Sequence, residues 1–321
     1  MIDRRLSIAP MIDHTDRHYR YMMRLITQKT LLFTEMITTP AILHQGVKPL
    51  LFDPFEKPIA LQLGGNQPDD LARCARFAES LGYDEINLNV GCPSDRVQQG
   101  QFGLSLMKNP VHVADCIAQM QSVVNIPVSV KCRIGLDHQD DYASFVDFIQ
   151  TVNQATDIFY IHARKGWLHG LSPKQNRTIP PLKYDYIYQL KKDLPHLQLS
   201  INGGITSLES VQSHLNNCDG VMVGRFAYDH PLALANADAQ IFNDRNQTAQ
   251  TPRQVIEQFS PYIQQYLNQG GQLRHITRHL LNLCHGYQGA KFYRRYLTEN
   301  AQDNTLKTLL NALAYVQLYE S

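Results

Sequence analysis

The sequence lacks the cysteine patterns that mark disulfide-rich or zinc-binding proteins. It has six cysteines in 321 residues, with no CxxC pair and no cluster of cysteine and histidine. Neither a disulfide framework nor a zinc site is indicated, and we expect no bound metal. The apolar run after residues 1–5 is too short for a signal peptide or a membrane span. Together these features predict a protein of the reducing cytoplasm with no membrane partner.

Neither sign of charge is in excess, since the formal net charge is only +1. This balance argues against a uniformly basic nucleic-acid-binding protein. Acidic residues are nevertheless missing from two long windows, residues 158–184 and 258–298, and each window contains five lysines or arginines. Two such windows in separate parts of the chain predict a basic surface that faces a polyanion.

A dinucleotide-binding signature is also missing, since no GxGxxG follows the first apolar segment. Eight short apolar segments recur instead, and helical patterns such as residues 68–81 and 208–215 lie between most of them. Strands that alternate with helices predict a parallel sheet, and eight units within about 240 residues predict an α/β-class (β/α)8 TIM barrel. A doubly wound sheet is the alternative. The predicted strands are Leu6–Met11, Leu31–Met36, Pro58–Leu63, Glu85–Val90, Pro127–Arg133, Asp157–Ala163, Leu197–Asn202 and Gly220–Gly224.

A second, helical unit is predicted after the barrel. The polar run at residues 243–250 is typical of a linker. Thr251 and Pro252 then form a good cap and first-turn pair, and apolar residues follow at helical spacing. We therefore expect a catalytic barrel at residues 1–245 and a C-terminal helical domain at residues 252–321.

The fourth predicted strand leads directly into a cysteine. Apolar residues and asparagines alternate in its sequence EINLNV (85–90), after which Gly91 and Pro93 bracket Cys92 and fix the local backbone. A single cysteine is more often a small core residue than a reactive one. At the carboxyl end of a barrel strand, however, a thiol lies where this fold places its chemistry.

The other strand ends are polar as well, and their composition favours a flavin. The loops after strands seven and eight, residues 202–204 and 224–225, supply glycines and an arginine for a phosphate, although glycines that serve only as tight turns remain an alternative. Lys131 and His162 lie on neighbouring strand ends, and Gln62 offers both a donor and an acceptor. This set suits FMN, because Lys131 would stabilise negative charge on the reduced ring.

Eight segments carry long motifs: APMIDHTDRHYR (9–20), LQLGG (61–65), EINLNVGCPSDRVQQGQFG (85–103), VKCRIG (130–135), IHARKGWLHGLSPKQNRTIPPL (161–182), SINGGI (200–205), VMVGR (221–225) and ITRHLLNLCHGYQGAKFYRRYL (276–297). Together they resemble the tRNA-dihydrouridine synthases over nearly the whole chain. The loop SPKQNRTIPPL and the helix RHLLNLCHG are most similar to the A-type branch of that family. One departure is His14, where the family pattern has a bulkier aromatic residue.

The resemblance implies a reaction and a cofactor. The family reduces the C5–C6 double bond of uridine in tRNA, using FMN that is itself reduced by NADPH, and the A-type branch implies D-loop positions 20 and 20a. Hydride would pass from FMN to C6, and Cys92 would protonate C5, since a thiol with a pKa near ~8.5 is mostly protonated at neutral pH. By resemblance, FMN is held by Pro10, Met11, Ile12, Gln62, Lys131, His162, Asn202, Gly203, Gly204, Gly224 and Arg225.

A role in tRNA binding would explain the two basic windows. The target uridine must turn outward to reach a flavin in the barrel mouth, as base-modifying enzymes require. Basic residues would then hold the folded tRNA through its phosphates and shape. We expect a monomer that binds tRNA and NADPH. Asn89 is expected to contact the base or its ribose, and the cationic tRNA contacts are expected at Lys174, Arg177, Arg274, Arg278, Arg294 and Arg295.

Two other functions remain possible on the sequence. An FMN barrel that reduces a free pyrimidine or an activated alkene would not need the basic helical domain. A tRNA-binding or tRNA-folding protein with a structural flavin would leave Cys92, Lys131 and His162 without a joint purpose. NADPH consumption that depends on tRNA would distinguish the predicted enzyme from both alternatives.

Overall fold

In the computed structural model, which describes residues 2–246 and 249–316, eight parallel strands close into a barrel. Each strand pairs with the next one in sequence, and the first pairs with the last. The predicted (β/α)8 TIM barrel is therefore confirmed. The largest difference from the predicted bounds is at the first strand, which ends before Pro10 because proline has no N–H for the ladder. The strands are β1 Leu6–Ile8, β2 Leu31–Thr38, β3 Ile59–Gly64, β4 Glu85–Asn89, β5 Val128–Arg133, β6 Ile158–His162, β7 Gln198–Asn202 and β8 Gly220–Val223.

Helices surround the barrel and make up most of the chain after β8. The α-helices are α1 Arg17–Ile26, α2 Thr39–Gln45, α3 Pro68–Ser80, α4 Asp95–Gln99, α5 Pro110–Gln121, α6 Tyr142–Asn153, α7 Tyr184–Asp193, α8 Leu208–Leu215, α9 Arg225–Asp229, α10 Ala237–Phe242, α11 Pro252–Asn268, α12 Arg274–Leu280, α13 Ala290–Asn300 and α14 Lys307–Leu313. Short 3-10 helices span Lys48–Leu50, Pro54–Glu56, Gly103–Lys108, Gln175–Arg177, Pro231–Leu234 and Ala301–Asp303. Among the described residues, no helix has the length and apolar character needed to cross a bilayer.

The helical region begins as its sequence predicts. The Thr251 hydroxyl accepts the N–H of Gln254, and the Gln254 side chain accepts the N–H of Thr251, which forms a capping box at the start of α11. The predicted linker lies between α10 and α11, and its residues 247–248 lie outside the described residues. The same is true of residues 317–321 of the predicted helical domain.

The helical region packs directly on the barrel. Tyr21 of α1 stacks on Tyr262 and Phe259 of α11, with ring centroids 4.2 and 5.6 Å apart. Buried apolar residues of the helical region belong to the same continuous cluster as those between the barrel strands and their helices. Because this core is continuous, the division into domains at residues 1–245 and 252–321 stays a prediction.

The barrel interior is partly apolar and partly polar. Phe33 and Tyr160 pack edge to face in a small apolar cluster that is separate from the outer core. The remaining space contains buried polar side chains joined in sequence by hydrogen bonds, with donor–acceptor distances of 2.6–2.8 Å. In order of contact, this polar chain comprises Arg4, Glu85, Ser129, Asn87, Gln62 and Asn89. It runs through the interior towards the carboxyl end of β4.

The ion pair at the start of the polar chain should contribute strongly to stability. In Glu85→Gln, the buried Arg4 guanidinium loses its counter-charge while the side-chain volume is kept. Breaking a buried pair in this way leaves a charge unpaired, so we expect the free energy of unfolding to fall by about 3 kcal/mol. Urea unfolding followed by circular dichroism would measure the change.

Glu299→Gln is the matched control. Glu299 accepts a 2.8 Å hydrogen bond from Arg295 on the exposed surface of α13, where water screens the pair. This variant should unfold like the unmodified protein. A similar loss of stability in both variants would contradict the importance given to the buried pair.

Candidate active site

Hydrogen bonds fix the loop that presents Cys92 at the end of β4. The Asn89 side-chain oxygen accepts the N–H groups of Gly91 and Cys92 at 3.1 and 3.0 Å. The carbonyl of Cys92 accepts the N–H of Leu104 at 2.9 Å. The half-buried thiol lies 3.5 Å from the Ser94 hydroxyl. The polar chain of the barrel interior therefore ends by positioning the predicted proton donor.

Arg133 at the end of β5 connects three loops around this cysteine. Its buried guanidinium donates to the carbonyls of Gly91, Lys165 and Asn176 at 2.9, 3.0 and 3.0 Å. Burial, with further repulsion from neighbouring arginines, lowers the pKa of Arg133 to about 10, so the group stays charged at neutral pH. The sequence shows Arg133 only as one more polar strand end, because its three carbonyl partners lie in other segments of the chain.

Asn176 organises the long basic loop after β6. Its side chain is buried, accepts the N–H of Trp167 at 2.7 Å and donates to the carbonyls of Trp167 and Leu171 at 3.1 Å. These bonds satisfy both ends of the amide and give the loop a defined shape. No periodic or compositional signal in the sequence distinguishes this asparagine from its neighbours.

A carboxylate from outside the first basic window, residues 158–184, neutralises part of its charge. Asp140 lies within 3.3 Å of the Lys165 amine and 3.1 Å of the Lys183 amine. Two of the five cations in this window are therefore paired, and they brace the loop rather than offering free charge. Lys174 and Arg177, the two predicted tRNA contacts in this loop, are exposed.

Lys131 and His162 lie at the barrel mouth, as predicted. The Lys131 amine donates to the Asn202 side chain at 3.2 Å, and Asn202 donates to the carbonyl of Met222 at 2.7 Å. Burial, followed by the charge of Arg133, lowers the pKa of Lys131 to about 8. Burial and the surrounding cations also hold the pKa of His162 well below its usual range, so its ring is neutral at pH 7.

The predicted phosphate loop after β7 needs glycine for steric reasons. Gly203 and Gly204 have φ of +112° and +72°. A Cβ on Gly203 would lie 2.6 Å from the His162 ring, and one on Gly204 would lie 2.5 Å from Leu182. Within the described part of the chain, the N–H groups of both glycines donate to no protein group. These donors remain free for an anionic ligand beside His162.

Unpaired cations surround this loop. Partial desolvation of the guanidinium groups lowers the pKa of Arg164 and of Arg177, and in both cases the neighbouring charge of Arg225 contributes. Arg164 donates to the carbonyl of Pro180. No carboxylate among residues 2–246 and 249–316 forms an ion pair with any of these three arginines. The mouth therefore has positive charge for which the described structure holds no counter-charge.

The loop after β1 supplies the remaining predicted flavin contacts. Pro10 is half-buried, and Ile12 is 51% exposed. A Cβ on Gly224 would lie 3.6 Å from the Met11 sulfur, so Met11 adjoins the loop after β8. The structure thus brings the first and last strand ends together. Contact with a flavin stays a prediction for these residues.

A bulge in β2 holds the same loop from the side. Residues Phe33 and Met36 pair with residues only two apart on β3, which leaves an extra residue on β2. Glu35, within this bulge, accepts the N–H of Asp13 at 2.5 Å. His14 packs against Tyr228 with ring centroids 4.2 Å apart, so the residue that departs from the family pattern contacts α9.

Gln62 and Asn89 have structural partners in addition to their predicted ligand roles. The Gln62 side chain is 1% exposed and bonds to both Asn87 and Asn89 at 2.8 Å. Asn89 is 8% exposed and also holds the Cys92 loop. Their contacts with flavin and uridine stay predictions. In the structure, Gln62 holds Asn89, and Asn89 in turn positions the loop that carries the thiol.

The remaining predicted tRNA contacts lie on α12 and α13, apart from the barrel mouth. Arg274 is exposed and Arg294 is half-buried. Arg278 pairs with Asp16, and Arg295 donates to Glu299 at 2.8 Å, so neither of these two is a free cation. The spacing of four between Arg295 and Glu299 is a local signal for a helical ion pair, whereas Arg278 and Asp16 lie 262 positions apart and have no such signal.

Comparison with known proteins decides the family. The family model described as dihydrouridine synthase matches residues 7–318. The chain belongs to the dihydrouridine synthase family. The predicted resemblance and the prediction of an enzyme are both confirmed, so an inactive tRNA-binding protein is no longer supported.

Three named proteins are similar to this chain over most of their length. The tRNA-dihydrouridine(20/20a) synthase of Shewanella oneidensis is 55% identical over 315 residues, which cover 98% of this chain and 94% of that protein. The synthase of the same name from Escherichia coli K12 is 56% identical over 299 residues, covering 92% and 86%. The one from Synechocystis is 54% identical over 314 residues, covering 96% and 94%.

The lowered pKa of Lys131 predicts a pH-dependent stability in the flavin-free protein of this family member. Between about pH 8 and the ordinary lysine pKa near ~10.4, the unfolded chain binds more protons than the folded one. The free energy of unfolding should therefore rise with pH across this window. Lys131→Met should lack that rise and be more stable at pH 7 by ~1–3 kcal/mol. Urea unfolding at pH 7, 8, 9 and 10 would test this.

Lys183→Met is the control for the sign of the effect. Burial alone would lower the pKa of Lys183, but the hydrogen bond to Asp140 outweighs it and raises that pKa. The charged amine therefore stabilises the folded protein at every pH below the ordinary lysine pKa. Its removal should lower stability at pH 7. Parallel pH profiles in the unmodified protein and Lys131→Met would refute the assignment.

Proposed function

We propose that this protein reduces uridine to 5,6-dihydrouridine in the D-loop of tRNA, with FMN as cofactor and NADPH as reductant. The main support is the convergence of a loop-held thiol with unpaired cations and free glycine N–H groups at one barrel mouth. Family membership supports the reaction. The relatives' shared name, tRNA-dihydrouridine(20/20a) synthase, supports positions 20 and 20a. We further infer a monomer that acts in the cytoplasm, with separate barrel and helical domains.

The residues at the mouth fit FMN. The free N–H groups of Gly203 and Gly204, with the charge of Arg225, match a phosphate, and Lys131 matches a ring that becomes negative on reduction. When bound, FMN supplies the hydride that adds to C6 of uridine. The proposed contacts are Pro10, Met11, Ile12, Gln62, Lys131, His162, Asn202, Gly203, Gly204, Gly224 and Arg225.

Cys92 is the proposed acid that protonates C5. Its loop is held by Asn89, so the thiol keeps a defined position relative to the mouth. Loss of the proton leaves a thiolate, and Lys131, Arg133 and Arg177 are all close enough to Cys92 to interact with it electrostatically. The site therefore supports a fixed position for the proton donor, with cations beside it.

The basic surface outside the mouth is the proposed tRNA contact. Exposed cations bind phosphates, and an exposed aromatic side chain among them can stack on a base. Phe292, 58% exposed on α13, follows Lys291 and adds such a ring. With Asn89 at the turned-out uridine, the proposed cationic contacts are Lys174, Arg177, Arg274, Arg294 and Arg295. The Arg295–Glu299 pair is fully on the surface and therefore weak, so a phosphate can displace it, whereas Arg278 is engaged by the less exposed Asp16.

A single-turnover experiment would test the whole proposal. The purified protein with photoreduced flavin is mixed anaerobically with unmodified tRNA transcript, and flavin reoxidation is followed by absorbance. Reoxidation together with dihydrouridine in the tRNA would support it. A reduced flavin that is not reoxidised by tRNA but is reoxidised by free uridine would favour the small-substrate alternative. A protein that binds no flavin would reject the cofactor.

Removal of the proposed acid should separate binding from turnover. Cys92→Ala should retain FMN and tRNA binding, because the loop is held by backbone and Asn89 contacts. Loss of general acid catalysis should lower the single-turnover rate by ~10²–10⁴-fold. Dihydrouridine formation, measured by nucleoside mass spectrometry, gives the rate.

Cys116→Ala is the matched control for this substitution. Cys116 is a free, buried cysteine on α5 of the outer helical layer. Its loss should leave the rate within about twofold of the unmodified protein, because general acid catalysis does not depend on it. An unchanged single-turnover rate in Cys92→Ala would refute the assignment of Cys92 as the acid.

Charge reversal on α13 should weaken tRNA binding without affecting the flavin. The double variant Arg294→Glu, Arg295→Glu should bind tRNA at least ~10-fold more weakly and show a lower salt dependence of binding. Filter binding at several salt concentrations and the visible flavin spectrum would be measured.

Arg253→Glu provides the control on the same helical region. Arg253 is exposed on α11 and faces Glu257 one turn away, at 3.7 Å, much as Arg295 faces Glu299. It lies outside the acid-free window, so its reversal should change tRNA affinity little. Equal losses in both variants would reject α13 as a specific contact.

A further inference from the structure

Asp16 links the loop after β1 to the helical region. Its Oδ1 caps α1 by accepting the N–H groups of His18 and Tyr19 at 2.9 and 3.0 Å. The same carboxylate pairs with two consecutive residues of α12, through Arg278 Nη2 and through His279 Nε2 at 3.0 Å. The Asp16 side chain is 18% exposed, and that of His279 is fully buried. One carboxylate therefore joins two elements 262 positions apart.

A ring of aromatic contacts closes around this ion pair. Tyr228 of α9 packs on His14 at 4.2 Å and on Tyr19 at 5.3 Å between ring centroids. Its hydroxyl lies 3.3 Å from Nδ1 of His279, the residue whose other ring nitrogen contacts Asp16. Four elements thus meet in one cluster: the loop after β1, α1, α9 and α12.

The elements in this cluster also border both proposed binding surfaces. The flavin-contacting residues Pro10–Ile12 directly precede His14 in the loop after β1. Gly224 and Arg225, at the start of α9, belong to the proposed phosphate loop. On the other side, α12 carries Arg274 and leads towards α13. A movement at Asp16 would therefore change how the mouth faces the helical region.

The carboxylate is held in its charged form. Burial opposes this, but the hydrogen bond and charge of His279 keep the pKa of Asp16 well below its usual range. The capping N–H groups act in the same direction. The ion pair between Asp16 and Arg278 of α12 is therefore present at neutral pH.

We propose that Asp16 is a positioning residue that fixes α12 against the loop after β1, so that the barrel mouth and the helical region present one surface to tRNA. In this assignment, Arg278 binds Asp16 rather than a phosphate. The inference rests on the proposed function for its effect on tRNA, but the link between Asp16 and α12 does not.

Asp16→Asn tests the ionic link and spares the helix cap, because asparagine caps helices as well as aspartate does. We expect the KM for tRNA to rise roughly tenfold, with kcat changed less than about twofold and the bound flavin spectrum unchanged. Steady-state kinetics with varied tRNA and amide hydrogen exchange of α12 without tRNA would be measured. Exchange should rise in α12 because its docking contact is weakened.

Asp141→Asn is the matched control. Asp141 caps α6 through the N–H of Ser144 at 2.9 Å, and its carboxylate forms no ion pair among the described residues. This variant should behave like the unmodified protein in both measurements. A comparable rise in KM in Asp141→Asn would show that loss of a capping charge is sufficient, and would overturn the proposal.

A double-mutant cycle tests the specific partner. Arg278→Gln leaves the Asp16 cap intact and should also raise the KM, and the double variant should be no worse than either single one. Additive effects would overturn the proposal, as would faster exchange in α12 with an unchanged KM. If Asp16→Asn fails to fold, Arg278→Gln decides through both measurements: a raised KM with faster α12 exchange in the absence of tRNA supports the link, and a raised KM with unchanged exchange overturns it.

The two proposals fail in different ways. Should the unmodified protein not reduce tRNA, the proposed function falls, while faster exchange of α12 in Asp16→Asn would still establish the link. Should tRNA be reduced but α12 exchange stay unchanged in Asp16→Asn, the positioning role is refuted and the function stands.

Discussion

The carboxyl end of the barrel depends on the hydrogen-bonded polar chain in its interior. A buried polar group is stable only when it is partnered, and here each member partners the next. The chain starts at the Arg4–Glu85 ion pair and ends at Asn89, which holds the N–H group of Cys92. The position of the thiol is thus linked to an ion pair elsewhere in the barrel. The other half of the interior is an apolar cluster around Phe33, whose side chain has no hydrogen-bonding group to offer these polar residues.

The barrel mouth concentrates positive charge that the described residues do not neutralise. Burial lowers the pKa of Lys131 and of Arg133, and repulsion between neighbouring cations adds to the effect. Such a site destabilises the ligand-free fold and favours whatever brings negative charge to it. Under the proposed function, the flavin phosphate and the tRNA backbone supply this charge. The lowered pKa values of these cations and the proposed affinity for anionic ligands then have one cause.

The two acid-free windows show where composition misleads. The absence of acidic residues along a segment does not mean their absence in space, because carboxylates arrive from other elements. Asp140 neutralises Lys165 and Lys183, and Asp16 engages Arg278. The windows identify segments rich in cations, but they could not separate the cations that brace the structure from those left exposed. That separation depends on contacts between residues far apart in sequence.

Local chemistry in the sequence determined the strands, the principal helix starts and the polar strand ends. Alternation of apolar residues in 85–90 and the cap at Thr251 act within a few positions, so they are legible without a structure. Only the tertiary structure decided that Asn89 holds the Cys92 loop, that Arg133 joins three loops, and that Asp16 reaches α12. Burial and hydrogen-bond partners arise when distant segments pack together, and no local pattern encodes which segments those will be.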